Sequence, residues 1–390
     1  MTFPEFSSFA ETEPLMHQAA SGATGLSDFG DPHYLTGLRV FLRALDSDLT
    51  PTPFGKAFAF GGIVGALIAR LRAVQGWKDR PDCLERPIRK PLVITGVPRT
   101  GTTALHKLMS MDPQFQGLDR WLTMAPQPRP PRDTWAGNPD YQACVANLKA
   151  FFDAAPEMRA AHDMVADEVD ECLEVLKSTF VSNFWGSSYP VPSYDRWWMA
   201  QDETPAYRHY ARALQLIGAD DPDRRWLVKN PGHIWHPEGV LDVFPDACII
   251  QTHRDPAKSM PSLCKILVQA RGIVVGADAV DAKAIARREV DYWSRSVEKM
   301  ARVRERLPAS QVFDVDHRAF RRDPMGTITT LYGHFGLDLS QAAEHAMLGW
   351  IENAAEEDKG SHQYTLEEFG LRQEEIHARF DAYMQRHGLK

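Results

Sequence analysis

The sequence holds 390 residues, of which 44% are hydrophobic and 25% charged, and its net charge is −8. This length and composition are typical of a globular protein with a sizeable core. The acidic balance and the lack of a basic tail argue against nucleic-acid binding, because neutralising phosphates is the main source of that affinity. An anion site in this chain therefore has to be a local basic pocket.

The five cysteines are scattered and form no C-x-x-C pair. We therefore predict reduced thiols in a cytoplasmic protein, with neither a disulfide framework nor a zinc site. The N-terminus has no basic segment followed by an apolar core, so we expect no signal peptide. No cluster of metal-ligating residues stands out, so no metal is predicted, and the sequence carries no indication of the oligomeric state.

Residues 1–90 are predicted to form a helical extension. An apolar run from Ala57 to Ala69 contains Gly61 and Gly65 at G-x-x-x-G spacing. Because ~13 residues is less than the ~18–20 that cross a bilayer, we predict no transmembrane segment. Two interpretations remain, namely a buried helix packed closely on a neighbour and a surface that contacts a membrane or a lipidic acceptor.

The stretch from Pro91 to Ser110 carries the strongest functional signal. A short apolar run leads into the loop G-V-P-R-T-G-T-T, and a helical pattern follows. This order predicts a strand, a phosphate loop and a helix whose N-terminal N–H groups point at an anion. A Walker A loop would place a lysine where Thr102 stands, whereas the cation here is Arg99, so a nucleotide triphosphate is less favoured.

The P-R-T-G-T-T loop resembles the 5′-phosphosulfate loop of sulfotransferases that use 3′-phosphoadenosine 5′-phosphosulfate (PAPS). The resemblance implies that the 5′-phosphate of the donor is bound by the loop residues Arg99, Thr100, Gly101, Thr102 and Thr103. Arg99 would also offset charge that develops on the transferred group.

The resemblance further implies an α/β fold of the P-loop-like kind. We expect three layers around a central parallel sheet, with strands near 92–96, 226–229, 248–252 and 311–315 and helices on both faces. The α/β domain would span 91–370, with an acceptor-side helical and aromatic insertion at about 115–222. A C-terminal helix would occupy 371–390.

Two features of the predicted insertion bear on the acceptor. The run D-E-V-D-E-C-L-E, from Asp167 to Glu174, would place four carboxylates on one face of a helix. That face is either solvated, or it points Glu171 into the active site with a pKa raised by its neighbours. Aromatic residues then crowd between Phe184 and Trp198, as a wall of an apolar acceptor pocket or as a plug of the core.

A second strand is predicted in R-W-L-V-K-N-P-G-H, which ends in Lys229 and His233. Ligands bind at the carboxyl ends of the strands in open parallel sheets. By resemblance, Lys229 offsets charge on the sulfuryl group and His233 is the catalytic base. The spacing differs from the K-x-H of cytosolic animal enzymes, and His236 competes for the same role.

A third strand runs into H-R-D-P, and Arg254 and Ser262 match the 3′-phosphate motif R-x-P-(x)5-S of the same family. Arginine donates two parallel hydrogen bonds to phosphate. Near the C-terminus, Lys359, Gly360 and His362 stand where the family has a basic loop that closes over the 3′-phosphate.

Together these motifs predict sulfuryl transfer from PAPS to a hydroxyl group of a small, lipophilic or lipid-like acceptor. The products would be a sulfate ester and adenosine 3′,5′-bisphosphate. Two alternatives are an NTP-dependent kinase or other phosphotransferase, and a non-catalytic nucleotide-binding protein.

Overall fold

The computed structural model describes residues 5–161, 164–357 and 365–389. The chain divides into two compact units, each assembled from separate segments. The first unit contains Met1–Pro87, Leu118–Pro222 and Ile266–Val280, and the second contains Ile88–Gly117, Asp223–Lys265 and Asp281–Lys390. The second unit therefore holds the phosphate loop, the segment from Lys229 to His233 and the R-x-P-(x)5-S motif.

In the described part of the second unit, five strands form a parallel sheet. They are β1 (Leu92–Gly96), β2 (Phe115–Gln116), β3 (Arg225–Lys229), β4 (Cys248–His253) and β5 (Val312–Asp316), in the order β2-β3-β1-β4-β5. The predicted parallel sheet is confirmed. The two-residue strand β2 was not expected, because so short a segment has no periodicity of its own.

Helices make up most of the regular structure in the described residues. In chain order they are α1 (Glu13–Thr24), α2 (Tyr34–Ser47), α3 (Pro53–Asp79), α4 (Thr102–Met109), α5 (Arg120–Met124), α6 (Pro139–Ala154), α7 (Pro156–Ala161), α8 (Leu173–Leu176), α9 (Asn183–Ser188), α10 (Pro192–Trp198), α11 (Thr204–Ile217), α12 (Pro237–Val243), α13 (Pro256–Val275), α14 (Ala282–Arg304), α15 (His317–Arg322), α16 (Pro324–Phe335), α17 (Gln341–Glu357), α18 (Gln373–Arg379) and α19 (Asp381–His387). The single C-terminal helix that the sequence predicted is thus two short helices, α18 and α19.

Helices cover both faces of the sheet, as predicted. On one face, Leu92 and Ile94 of β1 pack with Leu105 of α4 and Leu331 of α16. On the other, side chains of β1 and β4 face α12 and α14. All five residues of β1 are buried, so its sequence does not alternate between apolar and polar residues as a half-exposed strand would.

In the first unit, α3 is the longest helix of the described residues, and it extends well beyond the apolar run seen in the sequence. By length and composition alone it could cross a membrane, but 56% of its most apolar window is buried, as in a core helix. A Cβ at Gly61 or Gly65 would meet nothing within 4 Å, so this glycine pair does not mediate close packing. Close packing occurs instead at Gly55, where a Cβ would lie 1.8 Å from the Val274 carbonyl oxygen.

The aromatic segment from Phe184 to Trp198 forms α9 and α10. Trp185, Tyr189 and Tyr194 are at most 2% exposed. All three contact the ring of Phe41 in α2, at centroid distances of 4.6–5.5 Å. These side chains therefore plug the core of the first unit, which supports the second of the two interpretations.

Candidate active site

The phosphate loop connects β1 to α4, and glycines at both of its ends have positive φ. Gly96 has φ +142°, and a Cβ there would lie 2.6 Å from the Thr252 carbonyl oxygen. Gly101 has φ +92° and precedes the first turn of α4. Because neither position accepts a side chain without strain, both glycines are needed for the loop to fold back over the strand.

Arg99, between the two glycines, also has a positive φ, at +66°. Its Nε donates a hydrogen bond of 3.1 Å to Ser262 Oγ. Its carbonyl oxygen accepts one of 3.0 Å from Arg254 Nη1. The loop and the R-x-P-(x)5-S motif, more than 150 residues apart in the chain, are therefore in direct contact at the carboxyl end of the sheet.

The three threonines of the loop have different environments. Thr100 is buried, and its hydroxyl donates to the Val97 carbonyl oxygen and shares a hydrogen bond with Thr252 Oγ1. Thr102 begins α4, and Thr103 Oγ1 accepts a 3.3 Å hydrogen bond from Lys229 Nζ. Thr100 thus holds the loop on β4, while Thr103 and Lys229 lie together at the first turn of α4, where the helix dipole is positive.

Two residues of α15 lie beside Arg254, the cation Arg321 and the neutral imidazole His317. The side chain of Arg254 is half-buried, and its pKa is lowered by burial and by the guanidinium groups of Arg321 and Arg99. Burial, Arg254 and Arg321 lower the pKa of His317 to about 4. Several positive groups thus converge here, an arrangement typical of a site for a multiply charged anion.

His233 lies in a different environment. Its side chain is 2% exposed and lines a small cavity with Val93, Ile249 and Met300, between the sheet and α14. Burial lowers the pKa of His233 to about 3. His236, three residues on, is partly exposed at the start of α12.

A sequence model of the sulfotransferase family matches residues 91–341. The chain belongs to the sulfotransferase family. The match begins at Pro91, directly before β1, and ends at Gln341, the first residue of α17. The sulfotransferase resemblance that the loop carried is thereby confirmed, and the protein is an enzyme.

Solved structures support the same assignment over almost the whole chain. Sulfotransferase STF1 from Mycobacterium tuberculosis has 35% sequence identity and a TM-score of 0.87, covering 96% of this chain and 100% of its own. STF9 from Mycobacterium avium has 27% identity and a TM-score of 0.89, covering 99% and 98%. The curated omega-hydroxy-beta-dihydromenaquinone-9 sulfotransferase Stf3, from Mycobacterium bovis and Mycobacterium tuberculosis, is 25% identical over 71% of each chain.

Glu171 of this sulfotransferase belongs to the first unit, and the predicted helical face of four carboxylates does not form. Residues 167–171 lie outside any helix, and α8 begins only at Leu173. Asp167, Asp170 and Glu174 each pair with a cation, namely Arg132, Arg120 and Lys177. Burial raises the pKa of Glu174, but Lys177 and Arg120 outweigh it and the pKa is lowered. Repulsion between neighbouring carboxylates therefore does not raise the pKa of Glu174 above its usual value.

Two further parts of the second unit bear on the predicted site, namely the C-terminal loop and α15. Lys359, Gly360 and His362 lie outside the described residues. Arg321 and His317 were not predicted as site residues. The signal that could have found them is the position of β5, since α15 follows its carboxyl end and must reach the same edge of the sheet as the phosphate loop.

Proposed function

We propose that this sulfotransferase uses PAPS as its sulfuryl donor and a hydroxyl group of a lipid-like molecule as its acceptor. The observation that carries the donor assignment is the pair of hydrogen bonds joining Arg99 to Ser262 and Arg254. One adenosine bearing a 5′-phosphosulfate and a 3′-phosphate fits two adjacent anion sites. A nucleoside triphosphate, with its charge at one end, does not require the second site.

The two sites would divide the donor between them. The N–H groups at the start of α4, with Thr102 and Thr103, would hold the 5′-phosphate. Arg254 and Ser262, with Arg321 close by, would hold the 3′-phosphate. The proposal fits the charge pattern, because this cationic cluster lies in a chain of net charge −8.

The transfer itself breaks the bond between sulfur and the 5′-phosphate oxygen and forms one between sulfur and the acceptor oxygen. The 5′-phosphate leaves, and the acceptor proton passes to a base. Lys229, which donates a hydrogen bond to Thr103, would offset charge on the leaving and transferred oxygens. Several kcal/mol of transition-state stabilisation is typical of such preorganised groups.

For the base we propose His236 in preference to His233. A base must reach the acceptor hydroxyl and needs a pKa not far from the working pH. The burial of His233 and its pKa of about 3 argue against that role. Glu171 remains a candidate that mutation can test.

The proposed acceptor class rests on the relative Stf3, which is named as a sulfotransferase of a hydroxylated dihydromenaquinone. This chain covers 71% of that protein. We place the reaction in the cytoplasm, an assignment supported by the five cysteines, which are buried and form no disulfide bond among the described residues. We expect no requirement for a metal ion.

The test is a transfer assay with PAPS labelled in its sulfuryl group. A long-chain primary alcohol is the acceptor, and its methyl ether is the matched control without a hydroxyl group. We expect a labelled sulfate ester from the alcohol alone, one adenosine 3′,5′-bisphosphate per ester, and no effect of a metal chelator. Phosphorylation of the alcohol by magnesium-ATP, with no transfer from PAPS, would support the kinase alternative.

A further inference from the structure

The first unit contains a cavity of about 660 Å³ that shares no residue with the phosphate site. Residues of α3, of α11 and of the segment preceding α2 line it. Its volume is within the range of about 300–1,000 Å³ that is typical of small-molecule sites. A ligand of moderate size therefore fits within one unit.

Cations dominate the charged side chains of this cavity. Arg70, Lys78, Arg208 and Arg212 line it, and among the described lining residues Asp31 supplies the carboxylate. Lys78 is already paired, at 2.6 Å, with Asp28. Arg70 is 4% exposed, and it donates to the carbonyl oxygens of Phe29 and Asp31 at 2.7 and 2.6 Å.

Neither Arg70 nor Arg212 forms an ion pair with a carboxylate anywhere in the described part of the chain. Buried or partly buried guanidinium groups are normally paired, because an uncompensated charge is costly to remove from water. Arg70 is buried in this way, whereas Arg212 lies at the exposed side of the cavity, so the Arg70 guanidinium in particular leaves a positive charge that a bound anion would offset.

Aromatic rings hold both guanidinium groups in place. The Arg70 guanidinium lies 4.2 Å from the ring centre of Tyr34, and that of Arg212 lies 4.1 Å from Trp77. Trp77 also contacts the ring of His209, at 5.2 Å. The cavity thus combines flat apolar walls with fixed cationic donors, a combination that suits an anion carrying an aromatic or other flat apolar body.

We propose that this cavity is a second ligand site of the protein and binds a small organic anion with a flat apolar body. The anionic group is held by Arg212 with Arg208 and Arg70, and the apolar body lies against Trp77 and Tyr34. The site is separate in sequence from the donor-binding residues, and the inference does not depend on the proposed function.

The test uses the full chain and isothermal titration with 2-naphthalenesulfonate as the probe. The neutral 2-naphthalenesulfonamide has nearly the same shape and is the matched ligand control. We expect the sulfonate to bind at least about tenfold more tightly, because charge-assisted hydrogen bonds are about twice as strong as neutral ones. Equal affinity for the two probes would overturn the proposal.

Variants locate the binding. Arg212→Gln should weaken sulfonate binding about tenfold and leave sulfonamide binding unchanged. Arg295→Gln is the matched control, because Arg295 also stacks on a tryptophan, at 5.2 Å from Trp235, but pairs with Asp291. Arg208→Gln serves as a second variant if Arg212→Gln alters the thermal unfolding curve. Wild-type affinity in both cavity variants would place the sulfonate elsewhere and reject the site.

Discussion

At the scale of single residues, the active site depends on contacts that join the phosphate loop to the R-x-P-(x)5-S motif. Arg99 has a left-handed backbone, which costs of order 1 kcal/mol or more for a residue other than glycine. Its carbonyl oxygen and its side chain are both used, by Arg254 and Ser262. Because the strain persists only where surrounding contacts enforce it, these two hydrogen bonds explain how the loop keeps its shape.

Replacing Arg254 should distinguish the two ends of the nucleotide. We expect Arg254→Ala to weaken binding of adenosine 3′,5′-bisphosphate by about tenfold to a hundredfold, the effect of losing charge-assisted hydrogen bonds. Adenosine 5′-phosphate, which lacks the 3′-phosphate, should lose less affinity, because for this nucleotide Arg254 matters only through its hydrogen bond to the Arg99 carbonyl oxygen. Titration calorimetry measures both, and exposed Arg302→Ala is the control. An equal loss for both nucleotides would place the 3′-phosphate elsewhere.

The two histidines after β3 should respond differently to substitution. We expect His236→Ala to lower turnover by at least ~100-fold with near-constant donor affinity, as for loss of a general base. His233→Ala should mainly lower the free energy of unfolding, by roughly 1–3 kcal/mol, because it leaves a void between the sheet and α14. Steady-state kinetics and denaturant unfolding separate the effects.

The opposite pattern, with His233→Ala abolishing turnover in a fully stable protein, would return the base role to His233. A larger kinetic loss in Glu171→Ala than in His236→Ala would assign it to the carboxylate.

At the scale of elements, the segment formed by β1, the phosphate loop and α4 depends on its glycines as much as on its apolar residues. The loop must turn sharply enough for the N-terminus of α4 to face the ligand site. His106 adds a further restraint, since its Nε2 lies 3.3 Å from the Leu227 carbonyl oxygen of β3. The same element order recurs in many phosphate-binding proteins, because strand end, turn and helix dipole together form an anion site.

A methyl group at Gly96 should therefore be far more damaging than one at an open helical glycine. Gly96→Ala would bring a Cβ to 2.6 Å from the carbonyl oxygen of Thr252, and we expect a loss of at least ~2 kcal/mol in the free energy of unfolding. Gly61→Ala, which meets nothing within 4 Å in α3, should be stabilising by about 0.5–1 kcal/mol. Denaturant unfolding measures both. Equal changes in the free energy of unfolding for the two variants would mean that a side chain fits at the end of β1.

At the scale of the whole molecule, buried histidines link folding to pH. The pKa of His233 is lowered to about 3 and that of His317 to about 4, in each case mainly by burial. Unfolded histidines titrate near ~6.5. Between these values the unfolded chain binds protons that the native chain does not, so stability is complete above about pH 6.5 and falls as the pH is lowered.

The free energy of unfolding should accordingly decrease between pH 7 and pH 5. We expect His233→Gln to reduce the number of protons taken up on unfolding, by about one near pH 5 and by less near pH 7, whatever its effect on absolute stability. His345→Gln, at an exposed position, is the control. Denaturant unfolding at a series of pH values measures the slope, and an unchanged slope in His233→Gln would show that this imidazole is not held neutral.

Some features of this protein follow from the sequence alone because they depend on neighbouring residues. The apolar runs predict β1, β3, β4 and β5, and the order of strand, glycine loop and helix predicts a phosphate site and indicates the family. Strand ends can be read in this way because parallel strands that precede helices present their carboxyl ends at one edge of a sheet.

Other features were decided only by the tertiary structure, because they depend on which distant residues meet. The acidic segment forms ion pairs instead of the helix that its pattern predicted. The aromatic segment packs against α2. His233 is buried, whereas His236 is partly exposed. Local sequence shows that a group can be charged or apolar, but its partner and its exposure depend on other segments of the chain, such as Arg120 for Asp170, 50 residues away.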